Sequence, residues 1–369
     1  MFDAWPMRRF FRFLLNLVGF GIGFGTAAAT VSHFVAAPPV PGVSTKVAWW
    51  KSHTPDYDVL FLGSSRMKQL EPEVFREVFK AERPVQPFNL AVDGVRPPED
   101  AFLLDQALQG RTAPLRFVIV EGNRLAMRIS DADYGTERMT YWHDTERMWT
   151  ILRRTVGRSV KRPPSFHKSI SETWRNLRYV PGHLQHWLVN YSRMGLGFEW
   201  FDRFTDLHSI HRLPDDLDRY LGLQRDGFIP RSSKPMSRSK AAEYAKALAA
   251  IKLRGRSRLD PEDSASQAHF ARMAAVVRAH GAQLVVVAPP IASPEVFQPL
   301  SADLVFLDYS DPEKYPQLFD PAVRLDNSHL NREGSKLFSA LVAEDLFSIV
   351  LASERALNVS PLEVIEAAD

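Results

Sequence analysis

The stretch Asp58-Val59-Leu60-Phe61-Leu62-Gly63-Ser64-Ser65 sets the fold of this chain. Four consecutive apolar residues ended by a glycine read as a short strand buried on both faces and running into a turn. Burial on both faces belongs to the interior of a parallel sheet that helices cover on each side. Helical spacing over Glu71–Phe79 follows, then a second apolar run, Phe88–Val92, that stops at Asp93-Gly94. A helix is expected over Pro98–Gln109 and a third strand over Phe117–Glu121, ended by Gly122-Asn123.

The alternation then breaks off. Residues 124–262 are rich in aromatic and basic side chains and poor in strand-like runs. Trp142–Val156 and Ile170–Leu177 carry helical spacing, and Arg231–Lys240 reads as a polar loop. The segment is expected to be a large, mainly helical insertion, a lid or a docking surface. The α/β pattern resumes with a helix over Ser264–His280, a fourth strand at Gln283–Ala288 stopped by Pro289-Pro290, a fifth at Leu304–Asp308 and a last helix over Gly334–Ile349. Strands alternating with helices imply a five-stranded parallel sheet with helices on both faces. Right-handed crossovers bring the loops after the strands to one edge of that sheet.

The N-terminus has a different character. Arg8, Arg9 and Arg12 precede a mostly apolar run from Phe13 to Ala37, long enough to cross a bilayer as a helix. The arginines would stay cytoplasmic and put everything after Pro38 outside. Gly19, Gly21, Gly23 and Gly25 form two interlaced G-x-x-x-G pairs, a spacing that permits close helix contact in lipid. An uncleaved anchor is the favoured reading. A cleaved signal peptide with Ala27-Ala28-Ala29 at the cleavage site is the alternative, and both export the rest. The expected organisation is a cytoplasmic stub and transmembrane helix (1–37), a linker (38–54), an α/β core in two parts (55–123 and 263–352), the insertion between them (124–262) and a tail (353–369).

The chain has 369 residues and no cysteine, which excludes disulfides, thiol catalysis and cysteine-ligated metals. Net charge is only +3, yet the stretch 151–260 holds more than twice as many basic as acidic residues. Such a patch suits phosphate, anionic lipid or an acidic polymer, or is a solvated surface. No recognisable nucleic-acid-binding module is present.

Candidate chemistry falls on the loops after the strands. Ser64 and Ser65 follow the first strand, Gly94 the second and Asn123 the third. Asp326 and His329 lie after the fifth, just before the last helix. A serine needs a base, and that base needs an acid to orient it. Neither Gly-Ser-Ser nor D-x-x-H is specific alone; their convergence on one sheet edge carries the argument. Two further pairs, His183 with His186 and His208 with His211, have helical spacing, but no third metal ligand stands near them, and aromatic helix packing is the plainer reading. His143 beside Asp144 reads as surface.

The blocks Phe61-Leu62-Gly63-Ser64-Ser65-Arg66, Asn89-Leu90-Ala91-Val92-Asp93-Gly94, Glu121-Gly122-Asn123 and Asp326-Asn327-Ser328-His329 resemble those of the SGNH hydrolases, also called the GDSL family. The resemblance covers roughly 55–123 and 265–350. It implies a flavodoxin-like α/β/α fold and a nucleophile at Ser65, with Ser64 as the rival. It makes His329 the general base and Asp326 the residue that orients it. It also implies an oxyanion hole from the N–H groups of Ser65 and Gly94 and the side chain of Asn123, with no metal or organic cofactor. Two departures stand out: the usual G-D-S is Gly63-Ser64-Ser65, and the usual G-x-N-D is shortened to Gly122-Asn123-Arg124.

A Gly-Ser-Ser version behind an anchor is similar to the membrane-attached members that work in cell-envelope acylation, teichoic-acid D-alanylation and polysaccharide O-acetylation among them. The expected activity is therefore a serine O-acyltransferase in a bacterial cytoplasmic membrane. It would move an acyl group, acetyl first, onto an envelope or secreted polysaccharide, beside a multi-span membrane O-acyltransferase partner. The alternatives are a carbohydrate esterase with the same triad, or a non-catalytic assembly or polymer-binding protein that keeps the fold.

Overall fold

The computed structural model describes residues 5–34, 40–80, 83–125, 127–131, 133–156, 173–193, 216–255, 257–258, 264–293, 295–296 and 304–358. They form two compact units. One holds the N-terminal helix with the described residues of 127–156 and 173–193; the other holds 41–125 and everything described from 216 onward.

The second unit is built on a five-stranded, all-parallel sheet. Its strands are β1 (Val59–Leu62), β2 (Pro87–Asn89), β3 (Phe117–Glu121), β4 (Gln283–Ala288) and β5 (Val305–Asp308), in the spatial order β2-β1-β3-β4-β5. β1 and β3 are buried along their whole length, as apolar runs in the interior of a parallel sheet are, with Glu121 at the end of β3 the one charged residue among them. β2 begins with Pro87 and lies at the edge, where its missing N–H costs no ladder bond. Alternate residues divide the core. Val59, Phe61, Ile119, Val285 and Val287 face one side, packing with Phe75 and Phe79 of the helix Pro72–Phe79 and with Phe338, Val342 and Leu346 of the helix Arg332–Asn358. Leu60, Leu62, Val118, Val120 and Val286 point the other way. That other layer has the helices Glu99–Leu108 and Ser264–Ala279, linked by a buried bond between His269 Nε2 and Asp100 Oδ1 at 2.9 Å.

The order of the strands reverses between β1 and β3. In open parallel sheets the crevice at such a switch point, beyond the carboxyl ends of the strands, is where ligands bind. Ser64-Ser65 and Asn123 follow these two strands.

The expected insertion is not one body. Its first part joins the N-terminal helix, while residues 216–255 join the α/β unit. The helix Arg238–Arg254 is mostly exposed, but it buries Tyr244 and Ile251, and Tyr244 Oη donates to Phe319 O at 2.7 Å. A few large side chains seat it on the core, and periodicity does not register so sparse a stripe. The helix expected over Trp142–Val156 is two, Glu137–Trp142 and Thr145–Val156. Thr136 caps the first, and Asp144 Oδ1 accepts the Arg147 N–H at 2.8 Å at the start of the second. In the expected helix Ile170–Leu177, residues 170–172 lie outside the described residues, and 173–177 are helical.

In the first unit the helix Trp5–Phe34 includes an apolar span, Arg9–Val31, long and apolar enough to cross a membrane. The helix Val180–Ser192 packs against it, with Tyr191 Oη donating to Gly25 O at 3.1 Å. The other face of Val180–Ser192 closes a histidine cluster. His143 Nε2 lies 2.8 Å from His183 Nδ1, His183 Nε2 bonds Met127 O at 2.9 Å, and His143 Nδ1 bonds Met139 O. Trp142 stacks on His143 with ring centroids 3.7 Å apart. Burial, then the neighbouring His183, push the His143 imidazole down to about 2; burial also lowers His183 and His186. Among the described residues no group of three side chains is arranged to hold a metal. His143, expected on the surface, is fully buried, because the break between the two helices turns it inward. His208 and His211 lie outside the described residues.

Candidate active site

Gly63 makes the turn after β1 possible. Its φ of +141° favours glycine, and a Cβ there would lie 2.5 Å from Met67 Cγ and 2.7 Å from Glu121 Cβ. The chain then enters a short 3-10 turn, Met67–Gln69, with Ser64 O accepting the Met67 and Lys68 N–H groups at 2.9 and 3.1 Å.

Ser65 Oγ lies 2.8 Å from His329 Nε2. His329 Nδ1 lies 2.9 and 3.0 Å from the two Asp326 carboxylate oxygens. The three side chains form one line, acid to imidazole to hydroxyl. The ring polarity that satisfies it has Nδ1–H donating to Asp326 and Nε2 accepting from Ser65. Burial holds His329 below the ordinary imidazole value; Asp326 opposes that, and the cations of Arg231 and Arg66 add to it. Burial alone would push Asp326 up. The Ser328 N–H, the His329 ring and the His329 N–H outweigh it, and the carboxyl sits below its usual range.

Ser64 is placed differently. Its hydroxyl accepts from the backbone N–H and the Nε of Arg66, both at 3.3 Å, and the residue is buried. Gly94 sits in the turn after β2 with φ +76°. Neither the Ser65 nor the Gly94 N–H has a hydrogen-bond partner among the described residues. Asn123 Oδ1 accepts from Arg66 Nη2 at 3.1 Å, which leaves the Nδ2 end without a partner among the described residues. Ser65 and His329 open onto a pocket of about 440 Å³, lined also by Lys68, Asp93, Ile229, Pro230 and Arg231; Gly94 and Asn123 are not part of its lining.

Four residues that sequence reading passed over hold this arrangement. Glu121, the buried last residue of β3, accepts the Ser64 N–H through Oε2 at 2.7 Å and pairs through Oε1 with Arg66 at 2.5 Å. A carboxylate therefore does stand beside position 64, supplied across the sheet. Gln69 links the loop of Ser65 to that of His329, donating to Ser65 O at 3.3 Å and accepting the Leu330 N–H at 2.8 Å. Arg324 is fully buried and donates to Leu318 O, Pro290 O, Asn327 O and Asp326 O at 2.8–3.2 Å, tying the acid–base loop to the end of β4. Arg231 donates to Ser65 O at 2.9 Å from the segment expected to be an insertion, a lid or a docking surface. A glutamate ending an otherwise apolar strand was a legible signal. The other three sit in a short 3-10 turn or in loops, where nothing in the spacing marks them.

Charge in the pocket is paired but not neutral. Lys68 Nζ bonds Asp93 at 2.8 Å, and Arg231 lies 3.8 Å from the same carboxylate. Lys46 braces the β2 loop from within, donating to the carbonyls of Asn89, Ala91 and Gly227 at 2.7–3.0 Å. Burial, then the nearby Lys68, bring its pKa down to about 7.

No family model, curated protein or solved structure matches this chain.

Proposed function

We propose that the protein is a serine acyl-transfer enzyme of SGNH type, anchored by its N-terminal helix in a bacterial cytoplasmic membrane with the α/β unit on the outer side. The observation that carries this reading is the hydrogen-bonded line Asp326–His329–Ser65 opening onto a pocket. In the first half-reaction Ser65 Oγ attacks the acyl carbonyl while His329 Nε2 takes its proton. The tetrahedral intermediate collapses, the leaving alcohol takes that proton from His329, and the acyl group stays on Ser65 as an ester. An acceptor hydroxyl then loses its proton to His329 and attacks the ester, and Ser65 recovers its proton. The oxyanion in both halves is held by the Ser65 and Gly94 N–H groups, with Asn123 Nδ2, oriented by Arg66, as third donor; each is worth about 3–4 kcal/mol of barrier.

The acceptor class is the hydroxyl of an envelope or secreted polysaccharide, and the acyl group is acetyl. The anchor supports transfer over hydrolysis, because a tethered enzyme stands beside a donor fed through a multi-span membrane acyltransferase. The test is labelling with a fluorophosphonate probe. Wild type and Ser64→Ala are expected to label, Ser65→Ala and His329→Ala not. A folded wild type that stays unlabelled would sink the enzyme reading and turn attention to polymer binding.

A further inference from the structure

The first unit has an apolar surface that its own packing leaves open. The helix Val180–Ser192 turns His183 and His186 inward, while Leu184 and Leu188 stand on the outside, with Leu177 in line one turn before the helix begins. Positions 177, 181, 184 and 188 follow the i, i+4, i+7, i+11 spacing of a single face, and position 181 is an exposed proline. Trp149 and Trp174 are also exposed, at 54 % and 69 %, and Arg153 lies over the Trp149 ring at 5.4 Å. Apolar bodies beside guanidinium groups are what a membrane–water boundary selects.

One contact sets the depth of this surface. Tyr191 Oη is bonded to Gly25 O, six residues before the end of the apolar span at Val31. At about 1.5 Å per residue that is roughly 9 Å below the outer end of the span. Ala28, on the same face of the N-terminal helix, is buried. The last turn of Val180–Ser192, held at that level by Tyr191, lies within the depth of about 5–10 Å at which interfacial amphipathic helices rest.

We infer that the helix Val180–Ser192 lies in the outer leaflet beside the span, its Leu177–Leu184–Leu188 face against acyl chains and its histidine face closed by the unit itself. This rests on the reading of the N-terminal helix as a membrane span, and not on the acyl-transfer chemistry. The occupant is lipid because the surface is continuous with a helix that is apolar on nearly every side, only 6 % buried along its span.

The absence of native cysteine permits a direct test. The full chain is reconstituted at high lipid-to-protein ratio in phosphatidylglycerol–phosphatidylcholine vesicles, as single-cysteine variants Val18→Cys, Leu184→Cys, Leu188→Cys and Lys246→Cys carrying an environment-sensitive fluorophore. Quenching by iodide in the buffer is compared with quenching by nitroxide-labelled acyl chains. Labels at 184 and 188 are expected to resemble the label at 18: strong quenching from the acyl chains, and iodide quenching several-fold weaker than at 246. If 18 is quenched from the lipid while 184 and 188 behave like 246, the inference is wrong and the anchor reading stands. If 18 is itself open to iodide, the span reading fails and takes the inference with it. Shielding of 184 and 188 from both quenchers means a second copy or another protein surface covers them, which also overturns it.

Discussion

Two regions of the molecule lower the basicity of histidine by burial, and only one of them has the arrangement that the proposed acyl transfer needs. His143 and His183 lie against each other, with backbone carbonyls at both ends and Trp142 stacked alongside. His329 is also depressed by burial, but one nitrogen meets a carboxylate and the other a hydroxyl that opens onto a pocket. A shifted imidazole therefore marks a reactive site only when its two nitrogens have partners of different kind and one partner is reachable. The helical cluster uses its nitrogens to hold helices together, and the loop cluster leaves one aimed at a group that can react.

The comparison breaks most sharply at the hydroxyl. Ser65→Ala or His329→Ala should lower turnover of an activated ester on the order of 10⁶-fold, measured against wild type at saturating substrate. Asp326→Asn should cost about 10⁴-fold, because the ring loses the partner that fixes its tautomer. The corresponding cut in the other cluster should act on stability. His143→Ala leaves Met139 O and one His183 nitrogen unsatisfied and opens a cavity under Trp142, a loss of about 2–4 kcal/mol readable in denaturant unfolding. Fluorophosphonate labelling of that variant should persist below its unfolding temperature; labelling lost at once would mean that the helical unit takes part in the chemistry. The smallest effect is the most diagnostic. His329 must be neutral to take the Ser65 proton, so labelling should fall as pH drops through its lowered pKa, on the acid side of about 6.5. Arg231→Gln removes a cation that disfavours the imidazolium, so the acid limb should move to higher pH. An unmoved limb would assign the depression to burial and Arg66 alone.

Much of the fold could be read from the chain because it depends on local pattern. Apolar runs at 59–62, 117–120 and 284–288, stopped by glycine, by glutamate and glycine, and by proline, specify buried parallel strands. Their alternation with helical spacing fixes on which edge the loops emerge. Ser65, Asp326 and His329 were legible for the same reason, since each stands at a set distance after a strand or before a helix.

The insertion was not legible as drawn, because its division depends on a few long-range contacts. Tyr244 seats one helix on the α/β core, and Tyr191 sets another beside the N-terminal helix. Arg324 and Gln69 were invisible on similar grounds: an arginine or a glutamine in a loop sequence is ordinarily solvated. Only when β4, the serine turn and the acid–base loop converge do their donors and acceptors become the ones those buried carbonyls and amides require. The linear order of residues thus dictates the strands, the helices and the edge where the reactive groups gather, because those follow from spacing along the chain. Folding selects which hydroxyl meets His329, which carboxylate braces the serine turn and which histidines close on themselves, because those depend on distances between residues 40 to 264 positions apart.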